Sequence, residues 1–293
     1  MVALRVLSWN LFHGRDHPPD RRLFTWRSVL LRQTERNATH LQVNRDLLRE
    51  FTDVIAGAEW SVCLLQEVPP RWAGPLAERC NAEPHLVLTS RNQLSPLRRR
   101  LARWNPDLIA SGEGGSNLIL VRPPWRITER GSVLLNPFIR RRLRERRRMA
   151  LAAIAGDAAE LCVADLHATT GDRHQAEEDI VRGAQGAADF ARGRPLVFGG
   201  DLNVRPRTSS IFSGLEDRFE LSGSTAPDAI DHLLVRGLEV LDSPRRWPPE
   251  RRELPCSEPA SNLSQPALRL RLSDHAPVEA VFGVPQSVEP GVR

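Results

Sequence analysis

Short apolar runs recur along the chain, each stopped by proline, glycine or a polar residue, and they predict buried strands. Such runs cover residues 4–11, 60–68 (ended by Pro69-Pro70), 85–89, 117–121 (ended by Pro123-Pro124), 131–135, 196–201, 229–235 and 276–282. Residues 149–155 and 160–166 read as a hairpin turning about Gly156-Asp157. Helical spacing of Leu41, Leu47, Leu48, Phe51, Val54 and Ile55 predicts a helix over 24–56. A short helix is expected through Leu76 and Ala77 and a longer one over 173–192. The Arg-, Pro- and Gly-rich stretch 91–116 and the proline-rich stretch 243–266 read as long loops. Strands that come partly as hairpins and partly between helices predict an α+β domain with its strands in two sheets.

Composition narrows this picture. The 293 residues are 41% hydrophobic, enough for a core, and no linker divides them. Residues 1–284 are expected to form a single domain and 285–293 a flexible tail. The N-terminus does not read as a signal peptide and no apolar run is long enough to span a membrane, so a cytoplasmic protein is expected. Cys63, Cys80, Cys162 and Cys256 show no metal-type spacing and no disulfide framework. The net charge is +5, and every basic side chain other than histidine is arginine. Biased codon usage explains that excess as well as an anionic partner does, although guanidinium forks suit phosphate.

The chemistry lies where polar residues interrupt the apolar runs. Asn10 ends the first, Gln66-Glu67 the second, and Asp165 and His167 the strand before the 173–192 helix. Asp201 and Asn203 follow residues 196–200, Asp231 and His232 sit in 229–235, and Asp274-His275 precede the last run. Singly, each has a plain structural reading: a turn residue, an Asx-turn, a satisfied core histidine. Together, polar groups at several strand ends suggest one site on a rigid scaffold, since buried polar groups are costly unless paired.

In this order, Trp9-Asn10, Gln66-Glu67, Asp165-Leu166-His167, Gly200-Asp201-Leu202-Asn203, Ile230-Asp231 and Ser273-Asp274-His275 resemble the motif set of the endonuclease/exonuclease/phosphatase superfamily, across residues 4–282. The resemblance implies a four-layer α/β/β/α sandwich of two mostly antiparallel sheets, with the site at one rim. It also implies roles. Glu67 is the main Mg²⁺ ligand (Mn²⁺ is the other candidate), assisted by Asn10 and Asp274. Asp201 orients or deprotonates water, and Asn203 holds a phosphate oxygen. His275, fixed by Asp231, contacts the phosphate or moves a proton, and His167 serves the leaving oxygen.

Departures narrow the subfamily. The chain has no Tyr, and the AP endonucleases of the family carry Tyr where His167 stands. The cysteine-containing signature of the inositol phosphatases is absent around Asp231. His167 resembles deoxyribonuclease-I-like and sphingomyelinase-like members, but no apolar loop of the membrane-contacting kind is evident. The arginine runs 98–103 and 140–148 are either a solvated face or a track for a phosphate backbone. Arg147, Arg148 and Arg205 are the candidates for substrate contact, with Arg122 a weaker one. Trp104 either stacks on a base or packs on its own loop, and His13 either approaches the metal rim or caps a turn. The expected activity is hydrolysis of phosphodiesters, nucleic acid first, with a phosphatase or phospholipase-like hydrolysis of a small phosphoester as the alternative. An inactive binding module fits less well, because the motif set is intact.

Overall fold

The computed structural model describes residues 1–90, 95–109, 115–135, 147–156, 159–256 and 268–286. Along the chain the strands are β1 (Val2–Asn10), β2 (Glu35–Arg36), β3 (Leu41–Gln42), β4 (Val62–Gln66), β5 (Glu83–Ser90), β6 (Gly115–Val121), β7 (Arg126–Leu134), β8 (Arg148–Gly156), β9 (Ala159–His167), β10 (Leu196–Asp201), β11 (Asp231–Arg236), β12 (Glu239–Arg246), β13 (Glu253–Pro255), β14 (Arg269–Arg271) and β15 (Val278–Val284). Two large sheets run in the orders β12-β15-β1-β4-β6-β5 and β11-β10-β9-β8-β7, and β2–β3 and β13–β14 form small ladders outside them.

The inner faces of the two large sheets share one apolar core that includes Leu4, Val6, Leu64, Val163, Val197 and Phe282. On the outer face of the first sheet, Phe51 and Ile55 of the helix Leu48–Gly57 and Leu76 of the helix Ala73–Cys80 pack against Leu7, Trp9 and Leu65. The second sheet is covered by the helix Arg173–Ala191, whose Ala176, Ile180, Ala184 and Ala187 recur at helical spacing and face Phe198 and Leu166. The protein is thus an α+β sandwich of four layers.

Each large sheet is antiparallel except at one pair: β1 runs parallel to β4, and β9 parallel to β10. Parallel neighbours end on the same side, so the last residues of these four strands collect at one rim. Every second residue faces inward, and this inner series turns from apolar to polar towards that rim. Along β1 it reads Leu4, Val6, Ser8, Asn10, and along β9 Leu161, Val163, Asp165, His167. The buried polar groups are paired across the sandwich: the Gln66 amide donates to Asp165 Oδ1 at 2.6 Å, and the Asn117 amide to the Asp165 carbonyl at 2.9 Å.

Three expectations change. Residues 24–56 are not one helix: Thr25 caps a short helix Trp26–Leu31, left-handed Arg32 ends it, and Asn37 accepts the Thr39 and His40 N–H groups in a turn that pairs β2 with β3. Only the spacing from Leu48 onward is helical. The stretch 91–116 contains the helices Ser95–Trp104 and Pro106–Ile109, started by Ser-Pro and Asn-Pro respectively. The stretch 243–266 begins inside the edge strand β12 and continues through a 3₁₀ turn, Pro249–Arg252, into β13, while 257–267 lie outside the described residues. The helix Ile211–Phe219 was not expected.

Gly200, with φ of 125°, lets β10 approach β9 so closely that a Cβ there would stand 2.0 Å from the Leu166 carbonyl oxygen. Gly200→Ala is therefore expected to cost on the order of 3 kcal/mol in urea unfolding. Gly171→Ala, at φ 81° with open space around it, should cost only about 1 kcal/mol. Equal losses would show that the close approach is not what demands glycine at 200.

Candidate active site

The polar strand ends meet at the rim because of register. Asn10 is paired with Gln66, so Glu67 follows directly beside it. Asp201 lies between His167 on β9 and Asp231 on β11. β15 runs antiparallel to β1, which brings the turn before it, with Asp274 and His275, to the same rim. All eight predicted residues, Asn10, Glu67, His167, Asp201, Asn203, Asp231, Asp274 and His275, are gathered there.

Contacts within the group cross from one sheet to the other. Asn10 Nδ2 donates to Asp201 Oδ2 at 2.9 Å, and Asn10 Oδ1 accepts the Phe12 N–H at 2.9 Å. Asp201 Oδ1 accepts the Asn203 N–H at 3.1 Å. His275 Nδ1 lies 3.0 and 2.9 Å from the two oxygens of Asp231, while its Nε2 stands 3.8 Å from both Asp201 and Asp274. Glu67 is flanked by His13 Nε2 at 3.2 Å and His167 Nε2 at 3.5 Å. Asn203 Nδ2 reaches the Ala168 carbonyl at 3.2 Å and Thr170 Oγ1 at 3.4 Å.

Electrostatics separate these groups. Burial, reinforced by the charge of Asp231, pushes the Asp201 carboxyl above its ordinary range. Burial alone would push His275 down, but Asp231, then Asp201 and Asp274, outweigh it and raise the imidazole to about 10. His167 goes the other way: burial lowers it to about 4 despite the Glu67 charge. Burial opposes ionisation of Glu67, yet the neighbouring His13, His167 and His275 hold it below its ordinary value.

Backbone strain marks the same place. Nine residues other than glycine have positive φ among the described residues, and four of them, Arg32, Asn81, Arg192 and Glu220, end helices. The other five, Phe12, His13, Glu67, Asn203 and Ser273, all border the rim, the kind of local cost that persists where side-chain placement is fixed by surrounding structure.

A supporting layer holds the rim. Ser273 Oγ donates to the Asn10 carbonyl at 2.6 Å and accepts the His275 N–H at 3.0 Å, and the Trp9 indole donates to the His275 carbonyl at 3.0 Å. Arg252 donates to the carbonyls of Leu272 and Ser273 at 2.7 and 2.5 Å. Sequence reasoning missed Arg252, since it stood in a stretch read as loop among many other arginines. Asp165 was noted without a role and proves to be the inter-sheet partner of Gln66.

Among the arginine candidates, Arg147 donates to the carbonyls of His167 and Ala168 at 3.3 and 2.8 Å, beside the site. Arg148 reaches Ser132 on the neighbouring strand, and Arg205 is exposed on the turn after Asn203. Arg122 is a correction: it stacks on Trp60 and donates to the carbonyls of Ala56, Ala58 and Cys80, so it caps backbone instead of meeting substrate. Residues 140–146 lie outside the described residues.

The loop that carries His13 is pinned by Asp16, whose Oδ2 accepts the Val43 N–H at 3.0 Å. Burial raises the Asp16 carboxyl to about 8. The protonated form is favoured by folding, so the contribution to stability is complete below pH 3.8 and is lost as pH rises through about 8. Asp16→Asn keeps an acceptor without the charge. It should match the wild type near pH 4 and exceed it by on the order of a few kcal/mol at pH 8 in urea unfolding with EDTA. A gain independent of pH would contradict the assignment.

Comparison with known proteins agrees with this geometry. The chain matches the Endonuclease/Exonuclease/phosphatase family over residues 7–275. No curated protein sequence matches it. Among solved structures it is similar to a mannosyl-6-phosphatase from Bacteroides thetaiotaomicron (14% identity, 95% of this chain and 99% of that one, TM-score 0.62). It is also similar to the catalytic domain of human Nocturnin with a bound sulfate anion (14% identity, 97% and 95%, TM-score 0.57). A truncated Caenorhabditis elegans TDP2 matches as well (15% identity, 96% and 98%, TM-score 0.54). At such identities the likeness speaks for the fold, while the family match spans nearly the whole sequence: this chain belongs to the Endonuclease/Exonuclease/phosphatase family, whose members are hydrolases of phosphoester bonds.

Proposed function

We propose that this chain is a metal-dependent phosphoesterase that opens phosphodiesters by in-line attack of water, with nucleic acid as its first substrate class. The observation that carries this reading is the meeting of Glu67 and His275, carried by one sheet, with Asp201 and Asp231, carried by the other, around a single rim. In this reading residues 1–284 are one catalytic domain with 285–293 as its tail, working in the cytoplasm. Its free cysteines suit that compartment. No helix among the described residues is long and apolar enough to cross a membrane.

Asn10, Glu67 and Asp274 would hold the cation. Their amide and carboxylate oxygens suit a hard ion such as Mg²⁺, or Mn²⁺, and the exposure of Asp274 leaves room for water ligands. When bound, such an ion draws charge off the phosphoryl oxygens. The ligand-capable atoms of Asp201, Asp231 and His275 also lie within 4.8 Å of one another. Their bonds to one another and to Asn10 and Asn203 favour a proton-handling role instead. Asp201, raised by burial and held at both oxygens, orients the attacking water and takes its proton near neutral pH. Asp231 keeps His275 protonated, so its Nε2–H offers a charged donor to a phosphoryl oxygen. His167, neutral through burial, serves the leaving oxygen as hydrogen-bond donor. Asn203 can hold a phosphate oxygen once its amide leaves Thr170. Arg147, Arg148 and Arg205 supply positive charge for flanking phosphates.

A second reading, a small phosphoester as substrate, is supported by the likeness to the Bacteroides mannosyl-6-phosphatase. Both are tested by following hydrolysis of plasmid DNA, single-stranded RNA and bis-p-nitrophenyl phosphate with Mg²⁺, Mn²⁺ or EDTA. Cleavage of the nucleic acids that EDTA abolishes and Glu67→Ala reduces at least about a hundredfold is expected. Turnover of the small ester alone would move the substrate class to the second reading, and full activity in EDTA would end the metal assignment.

A further inference from the structure

We infer that the face formed by the short helices Trp26–Leu31, Ser95–Trp104 and Pro106–Ile109 is a docking surface for an anionic lipid bilayer. Eleven large hydrophobic side chains are exposed among the described residues, and seven of them lie on these three helices, so their exposure is not ordinary surface scatter. Trp26, Leu30 and Leu31 stand out from the first helix. Leu97, Leu101 and Trp104 recur at i, i+4 and i+7 on the second, and Leu108 is exposed on the third. Trp26 and Trp104 are 64% and 56% exposed.

Hydrogen bonds hold the helices together as one face. Asn105, next to Trp104, donates to the Val29 carbonyl at 3.1 Å. Asn44 donates to the Ser28 and Val29 carbonyls and to Asn105 Oδ1, and accepts the Asp107 N–H. The apolar side chains are therefore presented on a fixed frame.

Charge selects the occupant. Arg27, Arg32, Arg100 and Arg103 are exposed on or beside these helices. The one acid on the three helices, Asp107, turns inward to Arg15 and Gln42. Exposed tryptophan and leucine bordered by arginine, with no outward acid, is the arrangement that settles into the interface of a membrane carrying negative headgroups. A nucleic acid would meet the arginines and could stack on the tryptophans, but it would leave the five leucines against water.

The surface is linked to the hydrolytic rim. Asp107 accepts from Arg15 Nε at 2.5 Å, and the Arg15 carbonyl accepts the N–H of Ser273, the residue before Asp274, at 3.0 Å. Docking through these helices would fix the rim relative to the lipid headgroups. The docking itself does not depend on the hydrolytic reading, and it is measured without turnover.

The test adds phosphatidylcholine vesicles, with or without phosphatidylserine, to the full chain and follows sedimentation and tryptophan emission. Trp9, Trp60, Trp72, Trp125 and Trp247 are buried, so a blue shift reports Trp26 and Trp104. Binding and a blue shift on the serine-containing vesicles are expected, weakened by salt. Trp26→Ser with Trp104→Ser should lower vesicle affinity at least about tenfold while leaving the melting temperature unchanged, as their exposure implies. Arg100→Gln with Arg103→Gln should remove the preference for phosphatidylserine. Absence of binding to either vesicle would overturn the inference. So would a blue shift produced only by single-stranded RNA, or a doubling of mass in solution that the tryptophan variants abolish, which would make the face an interface between copies of this chain.

Discussion

The hydrogen bond from Asn10 to Asp201 joins the last residue of a strand in one sheet to the last residue of a strand in the other, and the rim is organised about it. It can form because both sheets place a parallel strand pair at the same point of the sandwich. An all-antiparallel sheet would send neighbouring strand ends to opposite rims. The parallel pairs β1–β4 and β9–β10 instead deliver Asn10, Glu67, His167 and Asp201 side by side. Below the rim, Gln66 and Asp165 make a second tie between the sheets.

From this constraint follows the division of labour among the titratable groups. Asp201 and Asp231 are neighbours on paired strands, and the charge of Asp231 adds to burial in raising the Asp201 carboxyl. His275 settles the conflict by pairing with Asp231, which leaves Asp201 as the carboxylate held for water. His167 and His275 carry the same side chain, but one is lowered by burial and the other raised by carboxylates. One rim therefore offers a neutral and a charged imidazole at the same pH.

Much of this was legible in the sequence. Polar interruptions at the ends of apolar runs included the eight rim residues, since a strand end in a packed sandwich is one of the few places where a polar side chain can collect partners from other strands, but it was the resemblance to the family's motifs that singled the eight out from Gln66, Asp165 and His232. The alternation along β1 and β9 was present in the letters too, but only the shared core and the contacts across the sandwich show that the two series face one another. Local competition accounts for the failures. Apolar spacing across 24–56 mimicked one helix because Leu41 of the small ladder and Leu47 of the turn after it are buried just ahead of the helix Leu48–Gly57, at intervals that continue its spacing. Arg252 and Arg122 were hidden among many arginines, and nothing in composition separates a guanidinium that caps buried carbonyls from one that meets solvent. The exposed face of Trp26 and Trp104 is assembled from three separate helices, so a search for one continuous apolar loop passes over it.

The central claim is that residues from the two sheets act on one reaction. It is tested most directly by a double-mutant cycle in kcat/KM between Glu67→Gln in the first sheet and Asp201→Asn in the second, on whichever phosphoester the wild type turns over. If both serve one centre, each single variant loses on the order of a hundredfold or more and the double variant loses little beyond the worse of them. Losses that multiply, so that the double variant falls by the product of the two, would contradict the account and separate Glu67 from the chemistry at Asp201.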